Sequence, residues 1–354
     1  MNRAKNLLEK AVAQKASDIF IVTGLPASMR VNHTLQRVDD QRLMPQDTED
    51  LIREIYTLAG RSMDQLLRTG DDDFSFPIPG VSRFRASAYR QRGSLSIVIR
   101  LIATSLPEPA SIGIPDSILS LGRFSKGLVL VTGPAGSGKS TTLACIIDHI
   151  NRTQEKHIIT LEDPLEFLHR HDKSIVSQRE INTDTENYRT ALRAALRQSP
   201  DVILLGEMRD YETMQAAVTA AETGHLVFST LHTTGSAKAV DRIIDVFPSD
   251  QQRQIADQLS LVLQAVVSQQ LLPTIQGTLT PAFELMTATA DIRSMIRSRK
   301  IPQIDGRIYS SPSVSQDMFS MDSSLLRLYQ DGVITADTAL EYATVPRLLA
   351  PKLQ

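Results

Sequence analysis

Residues 127–143 read GLVLVTGPAGSGKSTTL, and this stretch decides the fold of the larger part of the chain. The apolar run Leu128 to Val131 predicts a strand buried on both faces, and Ser140 to Asn151 predicts the helix that follows it. Between them, the residues from Gly133 to Ser140 have the spacing G-x4-G-K-S of a phosphate-binding P-loop. Its glycines let successive backbone N–H groups curl around phosphate oxygens. The stretch therefore predicts a protein that binds a nucleoside triphosphate.

The P-loop residues predict how ATP and Mg²⁺ are held. Lys139 is expected to reach the β- and γ-phosphate oxygens, and Ser140 to ligate Mg²⁺. The N-terminus of the following helix adds the positive end of its dipole. The residues predicted to bind ATP in this segment are Gly133, Pro134, Ala135, Gly136, Ser137, Gly138, Lys139, Ser140 and Thr141.

Around this motif, buried strands and helices alternate. Further strands are predicted at 157–161, 202–205 and 226–230, with helices at 187–197 and 211–223, which is the pattern of a parallel sheet covered by helices. After Phe247 the chain is predicted to be mostly helical. Residues 1–102 predict a separate α+β domain, with helices at 2–14 and 48–67 and strands at 18–22, 28–38, 73–76, 83–89 and 94–102.

The prolines of residues 103–115 predict a linker between the two domains. The expected division is therefore 1–102 for the N-terminal domain, 103–115 for the linker and 116–354 for the P-loop domain, with a helical tail from about residue 248.

Composition excludes several classes of protein. The 354 residues carry a formal net charge of −2, with a pI of about 6.4, so global charge gives no reason to expect nucleic acid as a partner. The single Cys145 excludes a disulfide framework and a cysteine-based zinc site. No signal peptide is apparent and no apolar run approaches the ~18 to 20 residues that cross a bilayer. A soluble cytoplasmic protein is expected.

Two acidic clusters follow predicted strands. The segment SPDVILLGEMRD, 199–210, places Glu207 just after a buried strand, and TLEDPLEF, 160–167, contains Glu162, Asp163 and Glu166. Ligands of open α/β sheets bind beyond the carboxyl ends of the strands, so these carboxylates are expected near the nucleotide. Glu207, Glu162 and Asp163 are predicted to take part in Mg²⁺ binding beside Ser140. The alternative for each cluster is a turn with solvated charges.

Two histidines flank the strand in TGHLVFSTLHTT, residues 223–234. A neutral imidazole can sense a γ-phosphate through hydrogen bonds, which makes His225 and His232 candidates for that role. A structural role is the alternative for either residue. Zinc is not expected, because no other ligands stand at metal spacing.

These motifs occur in an order that resembles the type II/IV secretion ATPases, and within them the motors that retract type IV pili. The resemblance extends to ASDIFIVTGLPASMRV, 16–31, and DDDFSFPIPGVSRFRASAYRQRG, 71–93, so it covers nearly the whole chain. It implies a PAS-like α+β N-terminal domain, followed by a RecA-like P-loop ATPase domain with a helical C-terminal tail. It also implies assembly into a homo-hexameric ring.

The resemblance assigns roles to further residues. Glu166 is implied to be the catalytic glutamate, Glu207 the acid of the neighbouring strand, and His225 and His232 the residues near the γ-phosphate. Arg85 and Arg100 match arginines of the N-terminal domain that approach the same phosphate. They lie fifteen residues apart on neighbouring strands, so both side chains could share one face of a hairpin. A solvated strand face is the alternative.

The implied function is an ATP-hydrolysing motor that powers type IV pilus retraction. It would act at the cytoplasmic face of the inner membrane, through an integral membrane platform protein and with a second related motor as a further partner. The alternatives are an auxiliary retraction motor, a pilus extension or type II secretion motor, and a non-hydrolysing ring adaptor. Lys139, Glu166 and Glu207 argue against the adaptor.

Three positions depart from the family pattern. Phe20 stands where the family usually has His, and the tail motif, which usually reads close to AIRNLIRE, reads DIRSMIRS at 291–298. Asp291 replaces a small residue and Ser298 replaces an acid. Ile292, Met295 and Ile296 share one face of the predicted tail helix. This helix either transmits the motion of the ring or packs on its own domain.

Overall fold

The chain divides into two compact units. The structure, a computed structural model, describes residues 3–31, 34–102, 106–311 and 317–353. One unit comprises Met1–Ser105 together with Pro164–Leu168, and the other comprises Leu106–Asp163 and His169–Gln354. Residues 103–105, where the predicted linker begins, lie outside the described residues.

The first unit is an antiparallel sheet covered by helices, in the strand order β3-β2-β1-β6-β5-β4. Its helices are α1 (Arg3–Ala13), α2 (Pro45–Ala59) and α3 (Asp64–Thr69), and its strands are β1 (Asp18–Ile21), β2 (Pro26–Val31), β3 (Thr34–Arg42), β4 (Asp71–Ile78), β5 (Ser82–Gln91) and β6 (Ser94–Ile102). The single helix predicted at 48–67 is two helices, because Gly60 ends α2 in the left-handed region, at φ 62°.

The core of this unit follows from the two periodicities of its sequence. Every second residue of β5 points inward, so Phe84, Ala86 and Ala88 are buried against the helices. Helix α2 buries Ile52 and Ile55 from its apolar stripe onto the same cluster. The inward-facing residues of the strands and of the helices therefore form one apolar core.

The second unit contains a seven-stranded sheet in the order β13-β12-β7-β11-β10-β8-β9. Its strands are β7 (Gly127–Thr132), β8 (His157–Glu162), β9 (Ile175–Glu180), β10 (Val202–Leu205), β11 (Leu226–Leu231), β12 (Leu263–Pro273) and β13 (Leu279–Thr287). All neighbouring pairs are parallel except β12 and β13, which form an antiparallel hairpin.

Helices cover both faces of this sheet. They are α4 (Asp116–Leu119), α5 (Lys139–Thr153), α6 (Tyr188–Ala195), α7 (Tyr211–Glu222), α8 (Ser236–Val246), α9 (Gln252–Val262), α10 (Ala290–Arg297), α11 (Pro302–Tyr309), α12 (Met321–Gln330), α13 (Ala336–Glu341) and α14 (Pro346–Leu349). In β7, Leu128 and Leu130 enter one apolar core, and Val129 and Val131 enter the other. This double burial explains why the strand is apolar throughout.

The described residues after Phe247 form six α-helices, in agreement with the predicted helical tail, but they also form a hairpin that was not predicted. The hairpin β12–β13 occupies the middle of this region and extends the sheet beside β7. Helix α9 ends at Val262 and β12 begins at Leu263, with no glycine or proline at the boundary. Apolar and polar residues are mixed on both sides of this boundary, so the sequence does not distinguish helix from strand here. Strand β9, which is rich in polar residues, was not predicted either.

No helix in the described part of the chain is long and apolar enough to cross a membrane.

Candidate nucleotide-binding site

The P-loop connects the carboxyl end of β7 to the first turn of α5. Gly133, Gly136 and Gly138 all have positive φ, at 144°, 78° and 85°, which glycine adopts without strain. At Gly133 a Cβ atom would also overlap the backbone carbonyl oxygen of Gln269 in β12. Space as well as backbone conformation therefore requires glycine at this position.

The polar groups of the loop suit an anionic ligand. The Lys139 side chain is buried, and its Nζ donates to the carbonyl oxygens of Gly133 and Pro134, both at 2.9 Å. The buried Ser137 hydroxyl has no hydrogen-bond partner among the described residues. An ammonium held over a turn of successive backbone N–H groups is the arrangement that binds phosphate oxygens.

The sheet order brings the predicted site residues to one edge. Strands β7, β11, β10 and β8 are parallel neighbours in that order, so their carboxyl ends lie side by side. The P-loop follows β7, His232 follows β11, Glu207 follows β10, and Glu162 and Asp163 stand at the end of β8. Residues that are far apart in sequence thus lie at the carboxyl ends of neighbouring strands, as expected for a ligand site in an open α/β sheet.

Glu207 and His232 contact each other at this edge. The Glu207 side chain is 17% exposed, forms an ion pair with Arg209, and accepts a hydrogen bond of 3.0 Å from His232 Nε2. Partial burial, followed by the charges of Lys139 and Arg209, lowers the pKa of His232 below its usual value. The P-loop lysine is therefore close enough to influence the imidazole electrostatically, and the neutral form of His232 is favoured.

The prediction that His225 lies beside the phosphates is wrong. His225 precedes β11, and its backbone carbonyl accepts a hydrogen bond from Gly127 N at the start of β7. The P-loop lies at the other end of the same two parallel strands, about 20 Å away at ~3.3 Å per residue. The His225 ring instead bonds the Ala220 carbonyl oxygen at the end of α7, at 3.0 Å, which is a structural role.

Three further predicted residues belong to the first unit. Glu166 is exposed and lies in Pro164–Leu168, the segment grouped with the N-terminal residues. Arg85 and Arg100 are directly opposite each other in the β5–β6 pair, so their side chains share one face of the sheet, as the spacing predicts. Arg100 Nε also donates to Asp18 Oδ1 at 3.0 Å. The roles of these three residues in catalysis stay predictions.

Two polar residues near the acidic cluster were not predicted from the sequence. Gln178 Nε2 of β9 lies 3.4 Å from Glu162 Oε1. The Tyr188 hydroxyl is buried and has no hydrogen-bond partner among the described residues. It lies so close to Gly206 that a Cβ at that position would stand 2.8 Å from it. Burial first, and then the charges of Asp163 and Glu162, raise the pKa of Tyr188, so its hydroxyl is a neutral donor beside the acids.

The tail helix α10 packs on its own unit. Ile292 and Ile296 are fully buried, and Met295 packs against the same core. Arg293 donates to the carbonyl oxygens of Ser260 and Leu261, at 2.7 and 2.9 Å, and to Gln264 Oε1 at 3.1 Å. The apolar stripe of α10 therefore belongs to the core, in agreement with the interpretation that this helix packs on its own domain.

The positions that depart from the family pattern have local partners. Asp291 bonds Thr289 and forms an ion pair with Arg307 of α11, and these contacts lower its pKa to about 2. The Ser298 hydroxyl donates to the Ser294 carbonyl oxygen of the preceding turn. In the first unit, the Arg30 guanidinium lies 5.4 Å from the centre of the Phe20 ring.

Comparison with known proteins defines the class of this protein. The family model for type II/IV secretion system proteins matches residues 2–329. The chain belongs to this family, and it is a nucleotide-binding ATPase of the type II/IV secretion superfamily. The predicted family membership and two-domain fold class are confirmed.

Relatives that match over nearly the whole chain include two ATPases of type IV pili. The type IV pilus retraction ATPase PilT of Pseudomonas aeruginosa is 42% identical over 341 residues, which cover 96% of this chain and 98% of PilT. The type IV pilus ATPase PilU of the same organism is 37% identical over 340 residues, which cover 96% and 88% of the two chains. A crystal structure of the pilus retraction motor PilT with bound ADP matches with a TM-score of 0.89, at 43% identity and 98% coverage of each chain.

Proposed function

We propose that this ATPase is a motor that powers the retraction of type IV pili. The observation that carries the proposal is the shared edge of the RecA-like sheet, where the P-loop, the Glu207–His232 pair and the Glu162–Asp163 cluster lie side by side. The similarity to PilT extends over both units rather than the P-loop alone. ATP would bind with its phosphates on the turn from Gly133 to Gly138.

Each predicted site residue is given a separate part in hydrolysis. Lys139 exchanges the carbonyl oxygens of Gly133 and Pro134 for phosphate oxygens and stabilises the charge that develops on them. Glu207 fixes the orientation of His232 through their hydrogen bond. The neutral imidazole is then able to bond the γ-phosphate region. We assign Glu166 to orient or deprotonate the attacking water. We assign Arg85 and Arg100 to stabilise the negative charge on the γ-phosphate.

The donor groups at this edge fit Mg²⁺ bound together with a nucleotide. A hydroxyl at Ser140 and the carboxylates of Glu207, Glu162 and Asp163 are oxygen ligands, the type that Mg²⁺ prefers. In the described parts of the chain, no group of three or more His, Cys, Asp or Glu residues is arranged to hold a metal ion. Mg²⁺ in such sites is held by one or two protein oxygens and by substrate phosphates, and it neutralises phosphate charge there.

The proposal includes an assembly and a location. We infer a homo-hexameric ring at the cytoplasmic face of the inner membrane, where it acts on an integral membrane platform protein and cooperates with a related motor. The similarity to PilT and PilU supports this part. No nucleic acid is expected as a partner.

The test separates nucleotide binding from hydrolysis. Lys139→Ala should weaken the binding of a fluorescent ATP analogue, because the ammonium is the main cation of the P-loop. Glu166→Gln should bind that analogue normally but lower ATP turnover by about 10²-fold or more, as expected for loss of a catalytic base. Glu155→Gln, at a neighbouring exposed acid outside the site, is the control. Wild-type turnover in Glu166→Gln would contradict the assignment.

A cellular assay tests the motor function. Deleting the gene should abolish pilus retraction, and the wild-type gene should restore it while Glu166→Gln does not. The similarity to PilU makes an auxiliary retraction motor the second candidate. In that case, retraction would persist in the deletion strain.

A further inference from the structure

Gln269 of β12 contacts the P-loop with both its side chain and its backbone. The side chain is buried, its Nε2 donates to the Ser137 carbonyl oxygen at 2.7 Å, and its Oε1 accepts from Thr142 Oγ1 at 2.8 Å. Its own carbonyl oxygen occupies the space that a side chain at Gly133 would need. One residue of a different strand therefore contacts the beginning of the loop, its end and the first helical turn after it.

The preceding residue, Ser268, contacts the loop between β11 and α8, which contains His232. Consecutive strand residues point to opposite faces, so Ser268 lies on the side of α8 while Gln269 lies on the side of α5. The Ser268 hydroxyl accepts a hydrogen bond of 2.9 Å from Gly235 N. Gly235 comes three residues after His232, in the loop that connects β11 to α8.

Glu284 reinforces this second contact from β13. It pairs directly with Ser268 in the hairpin and is 6% exposed. One of its oxygens accepts from Ser236 N at 2.9 Å and from Ser236 Oγ at 2.7 Å, at the N-terminus of α8. Burial raises the pKa of Glu284, and its side-chain oxygen accepts from a backbone N–H group that has no partner within the helix.

We propose that Ser268, Gln269 and Glu284 form a latch, which fixes the P-loop and the His232 loop relative to each other. The three residues are positioning residues, because their recorded contacts are to the two loops and to the helices that follow them. Both loops are anchored on one rigid hairpin, so a shift of the P-loop is transmitted to the loop of His232. Four of these five hydrogen bonds are buried, which makes the loss of any one of the four costly. This inference rests on the proposed hydrolysis of ATP at the P-loop.

The first test removes the hydrogen bonds that the Gln269 side chain contributes to the latch. Gln269→Met keeps the length of the side chain but removes its hydrogen bonds to Ser137 of the P-loop and to Thr142 in the first turn of α5. We expect the dissociation constant for a fluorescent ATP analogue to rise about tenfold, since each bond is worth on the order of a few-fold in affinity. Gln264→Met is the matched control, because Gln264 lies at the amino end of the same strand and bonds Lys126 O and Arg293 instead. It should bind nucleotide like the wild type.

The second test weakens the bonds between Glu284 of β13 and Ser236 of α8. In Glu284→Gln, the P-loop contacts of Gln269 stay in place while the bonds to Ser236 weaken. We expect kcat to fall about fivefold to tenfold with the dissociation constant unchanged within about twofold. A general loss of packing would instead alter both quantities together. If Gln269→Met does not fold, Thr142→Val removes one of the two bonds of the Gln269 side chain and should raise the dissociation constant about threefold.

The outcomes distinguish the latch from the proposed function. Weaker binding in Gln269→Met and slower turnover in Glu284→Gln, with Gln264→Met unaffected, support the latch. Equal nucleotide affinity in Gln269→Met and the wild type would overturn it, and so would an equal effect of Gln264→Met. A wild-type protein that neither binds the analogue nor hydrolyses ATP would overturn the proposed function itself.

Discussion

Arg293→Ala should destabilise the ATPase unit without damaging its nucleotide chemistry. The guanidinium bonds two carbonyl oxygens in the last turn of α9 and the side chain of Gln264, and so it connects α10 to the end of the preceding helix. Its burial lowers its pKa, and the acceptors of these three bonds are uncharged groups. The residue therefore acts as a C-terminal cap of α9.

The size of the effect follows from these bonds. A hydrogen bond from a charged donor contributes about 1.5 to 3 kcal/mol when buried, and a cation at a helix C-terminus contributes about 0.3 to 1 kcal/mol. Because the site is half-buried, water replaces part of the loss, and we expect a decrease of about 2 kcal/mol in the free energy of unfolding. For a unit of this size, that corresponds to a fall of roughly 4 to 8 °C in the melting temperature.

Thermal unfolding followed by circular dichroism measures this effect, with Arg297→Ala as the control. Arg297 lies on the same helix but is exposed, and no bond joins its side chain to another described residue. Its replacement should change the melting temperature by no more than about 1 °C. ATP turnover of Arg293→Ala at 20 °C should stay within about twofold of the wild type. An unchanged melting temperature, or an equal fall in Arg297→Ala, would refute the capping role.

Two further predictions concern Gly206 and Asp291. Gly206→Ala should lower the free energy of unfolding by about 1 to 3 kcal/mol, because the new methyl group overlaps the Tyr188 hydroxyl. Adding Tyr188→Phe to the same chain should restore most of the loss. Denaturant unfolding that shows no such rescue would contradict this contact. Asp291→Asn should cost at most about 1 kcal/mol at pH 7, since its ion pair with Arg307 is partly exposed. The folded-state pKa of Asp291, about 2, lies below the usual 3.8, so this contribution is complete above pH ~4 and disappears as the pH falls towards 2. A difference in unfolding free energy between variant and wild type that grows on acidification would contradict this.

The elements of the nucleotide site could be predicted from local sequence. A P-loop needs glycines and a lysine at fixed spacing, and a strand buried on both faces must be apolar throughout, as Leu128 to Val131 are. The parallel direction of the strands was predicted in the same way. Applied to β11, that direction already places His225 and His232 at opposite ends, so the misplacement of His225 was avoidable.

Other features depend on contacts between residues that are far apart in the chain. The segment from Ile255 to Leu272 mixes apolar and polar residues and suits a helix or a strand. Only pairing with β7 makes its second half the strand β12. The same pairing brings Gln269 to the P-loop, across more than a hundred residues of sequence.

The sequence by itself determined the chemistry of this protein, because phosphate binding needs a short motif whose residue types and backbone angles are local properties. Tertiary structure alone decided which side chains support that motif. Gln269, Glu284 and Arg293 are ordinary polar residues in the sequence, and each becomes informative only through the buried partner that the fold places beside it. The physical reason is that a hydrogen bond depends on the positions of both atoms, and the position of the second atom is set by the packing of the whole unit.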